Sequence, residues 1–368
     1  MAVSRPKHIV FAGGGTGGHL FPGLATAEVI CQIRPETRIT FVGSGRDFER
    51  EHVHSFGFDY RELPCCPLLL KKPWHLPKFA KSNLDGYRLA KQFLGEEEVS
   101  AVVGLGGYVS VPMARASRTH QIPLVLLEQN TVPGRATRWL SRRADHVCIA
   151  FDASREHFPR RAQLEVTGTP LRPGFGLESL ENGCLAEEPQ LLVLGGSGGA
   201  QSLNESVPHA LCLVRHRVEG WKILHQSGEA AYEETKRLYE EFGLQAEVVP
   251  FIANMPGTLA RTSLAICRAG GSTLAELAAT ATPAILIPYP HAINDHQRRN
   301  AELFQRHGGC CLLDEREHGP KLAEVLARRL GEFIEDEPRR LRVSHTMRCL
   351  ARPDAAHHVA KIILSRIR

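Results

Sequence analysis

The sequence predicts an α/β protein built from two doubly wound parallel sheets, and three observations support this class. The chain has 368 residues, enough for two domains of ordinary size. Short apolar runs without polar alternation recur between helical patterns, as expected for strands covered by helices on both faces. The same turn, Gly-Gly-Thr-Gly-Gly or Gly-Gly-Ser-Gly-Gly, follows the first strand of each half. We therefore expect two Rossmann-like domains with a cleft between them.

Five strands are predicted in the N-terminal half. They are the runs HIVFA (8–12), RITFVG (38–43), AVVGLG (101–106), PLVLLE (123–128) and HVCIA (146–150). Helical patterns separate these runs, which is the strand–turn–helix order of a doubly wound sheet.

The C-terminal half repeats this order. Its predicted strands are QLLVLG (190–195), KILHQSG (222–228), AEVVPF (246–251), LAICRAG (264–270) and AILIPY (284–289). The segment 166–183 is rich in Gly and Pro and is the predicted linker. We expect domains at 1–168 and 169–350. Residues 351–368 form a last helix that belongs to either domain, and packing back on the N-terminal domain is one possible arrangement.

Composition and charge exclude several classes of protein. The formal net charge of +5 and the absence of a Lys/Arg-rich tail argue against nucleic-acid binding. The N-terminal apolar run is too short for a signal peptide, and no stretch approaches the roughly 18 apolar residues of a membrane span. The ten cysteines show no CxxC spacing, which is typical of reduced thiols in the cytoplasm.

The glycine turns predict binding of anionic groups. At a strand-to-helix turn, bare amides and the helix dipole attract phosphate. The second strand ends in Gly43 and Ser44, where an NAD enzyme would carry an acid for the ribose. No P-loop lysine follows either turn. The missing acid and the second turn in a separate domain therefore count against an NAD enzyme, and the missing lysine excludes a P-loop.

Polar residues follow the strands at the expected ligand edge of each sheet. In open α/β sheets, ligands bind beyond the carboxyl ends of the strands. His19, Tyr108 and Asn130 occupy such positions in the first domain, and Arg268 and Glu276 occupy them in the second. Two such edges facing one cleft predict an enzyme whose substrates meet between the domains.

Seven motifs then carry a family resemblance over nearly the whole chain. In order they are GGGTGGHLFPGLA, GLGGYVSVP, LLEQNTVPG, GTPLR, LGGSGGAQSLN, CRAGGSTLAEL and NDHQRRNA. Together they resemble the MurG family of bacterial glycosyltransferases. The resemblance implies a GT-B fold and transfer of N-acetylglucosamine from UDP-N-acetylglucosamine to undecaprenyl-diphospho-N-acetylmuramoyl-pentapeptide, which converts lipid I to lipid II. It also implies a role in peptidoglycan synthesis, cell shape and division, at the cytoplasmic face of the inner membrane.

The resemblance further implies donor contacts. Glu276 matches the ribose-binding acid, Ile252 the segment whose backbone reads uracil, and Arg172 a donor-contacting arginine. The implied donor-binding set is Thr16, Gly17, Gly18, Asn130, Arg172, Ser197, Gly198, Gly199, Ile252, Gly271, Ser272, Thr273, Leu274, Ala275, Glu276, His296 and Gln297.

His19 is the predicted general base. The α-linked donor and the β-linked product of the family require one in-line displacement and a base for the acceptor hydroxyl, and an imidazole pKa near 6.5 suits that task. His19 binding the acceptor phosphate is the alternative. Glu128 is a second candidate base, or a residue that braces its loop. The implied acceptor-binding set is Gly14, Gly15, His19, Gly106, Gly107 and Tyr108.

Neither a metal nor a cofactor is expected. The chain lacks the Asp-x-Asp motif with which many sugar-nucleotide enzymes hold a divalent cation, and its nearest acidic cluster, FIEDEPRR, fits a solvated helix face. Four alternatives stay open: another glycolipid transferase of the same fold, a UDP-N-acetylglucosamine 2-epimerase, an NAD-dependent oxidoreductase and a nucleotide-sensing module.

A segment near residue 70 predicts docking to an anionic membrane. Apolar anchors interleaved with lysines suit such a surface. The patch consists of Leu69, Leu70, Lys71, Lys72, Trp74, Leu76 and Phe79. The alternative is an ordinary loop and helix whose aromatic side chains pack inward.

Overall fold

The computed structural model describes residues 7–69, 73–175, 188–196 and 198–367. The chain divides into two compact units, which we call the N-terminal domain (Met1–Arg172 with Asp354–Arg368) and the C-terminal domain (Pro173–Pro353). The sequence placed the boundaries at 168/169 and 350/351, and the units divide at 172/173 and 353/354.

The N-terminal domain is built on a parallel sheet. Its strands are β1 (His8–Gly13), β2 (Arg38–Gly43), β3 (Asp59–Glu62), β4 (Val99–Gly106), β5 (Leu124–Glu128), β6 (His146–Ile149) and β7 (Leu164–Val166). The helices that connect them are α1 (Gly17–Ile33), α2 (Asp47–Ser55), α3 (Leu76–Glu96), α4 (Ser110–Thr119) and α5 (Arg135–Leu140). The order across the sheet is β3-β2-β1-β4-β5-β6-β7.

The centre of this sheet is mostly apolar, which explains its long predicted runs. Phe11 of β1 lies opposite Phe41 of β2 and Val103 of β4 in the parallel register. The rings of Phe11 and Phe41 stack with centroids 5.0 Å apart. Burial on both faces makes every residue of β1 inaccessible, so polar alternation is absent from its sequence.

The C-terminal domain repeats this plan. Its strands are β8 (Gln190–Leu194), β9 (Lys222–Gln226), β10 (Glu247–Val249), β11 (Leu264–Cys267), β12 (Ala284–Leu286) and β13 (Cys311–Leu312). Its helices are α6 (Gln201–Leu213), α7 (Tyr232–Glu241), α8 (Met255–Ala260), α9 (Gly271–Ala279), α10 (His296–Arg306), α11 (Glu315–His318), α12 (Leu322–Glu335) and α13 (Glu337–Leu350).

The strand order of the second sheet is β10-β9-β8-β11-β12-β13, and all its neighbours are parallel. Both sheets therefore contain the 3-2-1-4-5-6 order of a Rossmann fold, with β7 added at one edge of the N-terminal sheet, so the predicted fold class is confirmed. All ten predicted strands are present, and β3, β7 and β13 are additional.

The last helix, α14 (Ala355–Arg366), packs on the N-terminal domain. Val359 and Ile363 are completely buried in the apolar core that α1 also joins. The imidazole of His358 lies 2.5 Å from a carboxylate oxygen of Glu165 on the adjacent edge of the sheet. The end of the chain thus completes the domain with which it begins.

Candidate active site

The first glycine turn lies at the carboxyl edge of the N-terminal sheet, beside the two other predicted motifs of that domain. Gly13 of β1 pairs with Gly106 of β4, and β4 pairs with β5, which ends at Glu128. The parallel order therefore brings the turn at 13–18, the segment at 104–108 and the loop after Glu128 to one edge.

His19 lies on the first turn of α1, with its ring against Gly106. Its Nδ1 is 3.2 Å from the hydroxyl of Thr16. A Cβ at Gly106 would lie 3.0 Å from the ring, and Gly106 has a φ of +97°, so only glycine fits this approach. Thr16 and Gly106 both constrain how the imidazole of His19 is oriented.

Glu49 of α2 is hydrogen-bonded to the first glycine turn, and the sequence analysis did not identify it as a site residue. The residue is fully buried. Its carboxylate accepts the Gly15 N–H at 2.5 Å, the Ser44 N–H at 2.7 Å, the Ser44 hydroxyl at 3.0 Å and the Tyr60 hydroxyl at 2.7 Å. The Gly15 amide is therefore engaged by an internal anion. The sequence feature that could have identified Glu49 is its position, five residues after Ser44 and on the first turn of a helix.

Glu128 is turned towards its own loop. It is 4% exposed, and its oxygens accept the backbone N–H and side-chain amide of Asn130 at 3.1 Å and the Gly134 N–H at 3.0 Å. Burial raises the pKa of Glu128, while these hydrogen bonds act in the opposite direction. This is the geometry of a residue that braces the 129–134 loop and orients Asn130.

Tyr108 and Arg46 lie at the same edge. Burial raises the pKa of the Tyr108 phenol, and the charge of Arg46 and a side-chain hydrogen bond from it act against that rise. The Arg46 guanidinium also donates to the Gly15 carbonyl oxygen at 2.6 Å. Gly107, with a φ of +72°, lies against the Gly14 carbonyl oxygen. Arg46 was not among the residues expected here.

The second glycine turn joins β8 to α6, and close backbone packing holds it. Gly199 has a φ of +74°, and a Cβ on it would collide with the Ser227 carbonyl group. The Asn204 side chain donates to that carbonyl oxygen at 3.0 Å. The turn therefore requires glycine at 199 for steric reasons. Ser197 lies outside the described residues.

A buried polar network stands behind this turn. His225 is fully buried and lies 3.0 Å from Asn204 Oδ1 and 2.9 Å from the Tyr239 hydroxyl. The Asn204 side-chain amide donates to the Ser227 carbonyl, so the Asn204 Oδ1 faces His225 and accepts a hydrogen bond from its Nε2. The Nδ1 of His225 is then unprotonated and accepts from the Tyr239 hydroxyl. Burial lowers the pKa of His225 to about 3, so the ring is neutral. Neither Asn204 nor His225 was singled out from the sequence.

Gln226 connects the second turn to the predicted uracil segment. Its side-chain amide donates to the Gly196 carbonyl oxygen at 2.9 Å, and its Oε1 accepts the Ile252 N–H at 3.3 Å. One side chain thus sets the spacing between the turn and the backbone at Ile252.

Besides the second glycine turn and the segment at Ile252, the segment after β11 lies at the carboxyl edge of the C-terminal sheet. Gly271, Ser272, Thr273, Leu274, Ala275 and Glu276 begin α9, with Glu276 half-buried and Leu274 fully buried. Arg268 donates to the carbonyl oxygens of Ile287 and Pro288 at 3.0 and 3.1 Å, and lies 2.9 Å from Glu315. Arg268 therefore ties the ends of β11 and β12 together.

His296 and Gln297 are the first two residues of α10, and two residues with positive φ precede them. Asn294 and Asp295 have φ values of +54° and +58°, in the left-handed region that Asn and Asp enter more readily than other non-glycine residues. Asp295 is held by Arg316 at 3.1 Å. Gln297 Oε1 accepts the Tyr289 N–H at 2.9 Å, which closes the loop on itself.

Comparison with known proteins agrees with both domains. The glycosyltransferase family 28 N-terminal domain matches residues 9–149, and the family 28 C-terminal domain matches 190–345. A Pelobacter propionicus protein is 37% identical over 97% of this chain and 99% of its own length, and a Geobacter sulfurreducens protein is 37% identical over 98% and 99%. Both are named UDP-N-acetylglucosamine–N-acetylmuramyl-(pentapeptide) pyrophosphoryl-undecaprenol N-acetylglucosamine transferase.

A crystal structure of MurG from Acinetobacter baumannii has a TM-score of 0.77 and 30% identity, covering 98% of this chain and 100% of that one. The chain belongs to the MurG family. Its fold class is GT-B, as predicted. A UDP-N-acetylglucosamine 2-epimerase structure from Listeria monocytogenes has a TM-score of 0.70 at 14% identity, covering 98% and 96%, and shares the fold alone.

In this MurG-family chain, the site residues predicted in the N-terminal domain lie at the carboxyl edge of its sheet. The site residues predicted in the C-terminal domain, where the structure describes them, lie in the loops that follow its strands and in the helices after those loops. Arg172 ends the N-terminal domain, with its guanidinium carbon 4.4 Å from the centroid of the Phe21 ring. The described residues contain no group of three or more His, Cys, Asp or Glu side chains arranged to hold a metal ion.

The predicted membrane patch is partly exposed. Trp74 is 74% exposed, Leu76 49% and Leu69 38%, whereas Phe79 is half-buried. Leu70, Lys71 and Lys72 lie outside the described residues. Within the ranges the structure describes, no helix combines the length and apolarity needed to cross a bilayer.

Proposed function

We propose that the chain transfers N-acetylglucosamine from UDP-N-acetylglucosamine to undecaprenyl-diphospho-N-acetylmuramoyl-pentapeptide, converting lipid I to lipid II in peptidoglycan synthesis. The observation that carries the proposal is full-length similarity to transferases with this named activity, at 37% identity over 97% of the chain. Glycine turns at the carboxyl edges of both sheets support it, because the reaction needs two diphosphate substrates.

The C-terminal domain supplies the proposed donor site. The second glycine turn and the N-terminus of α6 bind the donor diphosphate, and they stabilise the charge that develops on leaving UDP. Gln226 supports the positions of Gly196 and Ile252, so the distance from diphosphate to uracil is built into the domain. Glu276 binds the ribose, and His296 and Gln297 contact the sugar hydroxyls.

The N-terminal domain supplies the proposed acceptor site and base. The acceptor hydroxyl attacks the anomeric carbon, the bond from that carbon to the UDP oxygen breaks, and the configuration inverts. His19 accepts the hydroxyl proton, with its ring held by Thr16 and Gly106. The bracing geometry of Glu128 favours His19 over Glu128 as the base. Asn130, oriented by Glu128, contacts the transferred sugar.

We further propose that the reaction needs no metal ion. The chain has no Asp-x-Asp motif, and helix α6 directs its positive end towards the diphosphate. Full turnover in EDTA is expected. Loss of turnover in EDTA with recovery on adding Mg²⁺ would contradict this part of the proposal.

Peripheral binding at the cytoplasmic face of the inner membrane completes the proposal. Trp74, Leu69 and Leu76 are exposed near the start of α3. Helix α3 packs on α4, and α4 packs on α5. Beside α4 and α5, five arginines and the exposed Trp139 line a cavity of about 240 Å³. Those arginines are Arg115, Arg118, Arg142, Arg143 and Arg161. Apolar and basic side chains on one helical layer suit an anionic lipid surface.

The decisive experiment is incubation with UDP-N-acetylglucosamine and a short-chain, water-soluble lipid I analogue, followed by mass analysis. We expect a product heavier by one N-acetylhexosamine, formed only when both substrates are present. Formation of an epimerised UDP-sugar without acceptor would contradict the proposal and favour a 2-epimerase. Binding of NADH without binding of UDP would favour an oxidoreductase.

A further inference from the structure

Arg46 places a permanent positive charge beside the first glycine turn. It immediately precedes α2, and its side chain is exposed. One guanidinium N–H donates to the Gly15 carbonyl oxygen at 2.6 Å, and the side chain also interacts with Tyr108. Within the described residues, no carboxylate forms an ion pair with Arg46 at 4.0 Å or less. A cation between two residues of the proposed acceptor site is thus left for a ligand.

Glu49 explains why this turn needs such a cation. In an ordinary glycine turn, the free amides receive the phosphate. Here the Gly15 amide already donates to the buried Glu49 carboxylate. The turn therefore carries an internal negative charge at that amide, and a phosphate approaching it requires another donor.

We propose that Arg46 binds the diphosphate of the lipid-linked acceptor. This inference rests on the proposed function, which supplies the diphosphate. A guanidinium has five N–H donors in one plane, a geometry that matches two oxygens of a phosphate group. Because the contact with Gly15 fixes the guanidinium beside the turn, the acceptor diphosphate lies next to His19 and Tyr108.

The same contacts distinguish the two glycine turns of the chain. In the part of the second turn that the structure describes, no carboxylate accepts from the amides, and the Gly199 N–H bonds to the Gly196 carbonyl oxygen. The first turn has its Gly15 amide filled by Glu49 and its charge supplied by Arg46. Among the described residues of the two turns, the combination of an amide engaged by a carboxylate and an adjacent arginine therefore occurs at the first turn.

The test compares Arg46→Gln and Arg46→Lys with Arg50→Gln, an exposed arginine one helical turn further along α2. Initial rates are measured with UDP-N-acetylglucosamine and a short-chain, diphosphate-linked acceptor. We expect Arg46→Gln to lower kcat/KM for the acceptor by roughly 10-fold or more, mainly through acceptor KM, and to leave donor KM unchanged. Arg46→Lys restores part of the loss because it keeps the charge without the planar fork. Arg50→Gln behaves like wild type.

An acceptor in which an uncharged linker replaces the diphosphate separates binding from a purely structural effect. With it, wild type and Arg46→Gln should have equal acceptor KM values. An equal loss with both acceptors, or an unchanged KM of Arg46→Gln for the natural linkage, overturns the inference while the proposed function stands. No turnover by wild type overturns both. Thermal unfolding midpoints are measured for each variant, and Arg46→Lys keeps the test valid if the glutamine variant unfolds.

Discussion

Replacing Glu49 with alanine removes the acceptor for four hydrogen bonds around the first glycine turn. The donors are the backbone N–H groups of Gly15 and Ser44 and the hydroxyls of Ser44 and Tyr60. The carboxylate is fully buried, so none of these bonds is a surface contact. The change should therefore lower the stability of the N-terminal domain and displace the turn.

The expected magnitude follows from these four bonds. A buried donor left without a partner costs about 1–3 kcal/mol. Gly15, Ser44 and Tyr60 are half-buried, so water replaces part of the carboxylate and the lower end applies. At about 1 kcal/mol for each donor, Glu49→Ala should cost about 4 kcal/mol. Glu49→Gln keeps one accepting oxygen and should cost about half as much. A domain of ordinary stability, about 5–15 kcal/mol, stays largely folded after either change.

Urea unfolding monitored by tryptophan fluorescence measures this loss. In a Trp221→Phe background, the two remaining tryptophans, Trp74 and Trp139, both report on the N-terminal domain. Glu51→Ala is the matched control, because Glu51 is an exposed residue of the same helix. A loss below about 1 kcal/mol for Glu49→Ala, or an equal loss for the control, would refute the reasoning.

The same variant should separate the two substrates. Acceptor kcat/KM should fall by at least about 10-fold because the turn carrying His19 loses its anchor. The affinity for UDP, measured by calorimetry, should be unchanged, since Glu49 lies in the N-terminal domain and the proposed nucleotide site lies in the other. A parallel fall in UDP affinity would show that Glu49 acts on the whole protein instead.

Four further outcomes are expected. His19→Ala should lower turnover about 10²-fold or more with little change in UDP-N-acetylglucosamine binding, and near-normal turnover would remove His19 from the mechanism. Glu276→Ala should raise the donor KM about 10- to 150-fold through loss of a charge-assisted hydrogen bond, and an unchanged KM would exclude ribose binding. Trp74→Ser should reduce the fraction of protein that floats with anionic vesicles more than Phe79→Ser does, because Trp74 is 74% exposed and Phe79 is half-buried. Equal vesicle binding by Trp74→Ser and wild type would contradict the membrane patch. The folded-state pKa of His225 is about 3, so between pH 3 and about 6.5 the unfolded chain binds a proton that the folded protein does not. The free energy of unfolding should therefore fall as pH falls through this window, by up to about 1.4 kcal/mol per pH unit. His225→Gln should remove that component, and an identical acid dependence in the variant would contradict it.

Local patterns in the sequence were sufficient for the strands at the centre of each sheet and for the two glycine turns. A strand covered on both faces is an uninterrupted apolar run, and a turn with positive φ needs glycine, so both features are visible without knowledge of any partner. The edge strands β3, β7 and β13 were missed, whereas the edge strand β10 was predicted. Strand β3 reads DYRE and β13 has two residues, and such segments become strands only because a neighbouring strand pairs with them.

The resemblance, and not the residues alone, assigned roles to His19, Glu276 and Gln297, because a single sequence shows which side chains follow a strand but not what they touch. Glu49, Asn204 and His225 were missed for a different reason. Each acts through contacts with residues up to 34 positions away, and nothing in the local pattern around a buried Glu, Asn or His distinguishes it from a solvated one.

The sequence by itself determined two doubly wound domains, because short-range periodicity and glycine geometry are encoded within a few residues. Tertiary structure alone decided that α14 completes the first domain, that Glu49 engages the Gly15 amide, and that Arg46 lies beside Tyr108. These outcomes depend on which distant surfaces meet when the chain buries its apolar area. Side-chain hydrogen bonds across that packing form only once the backbone has brought their partners within about 3 Å.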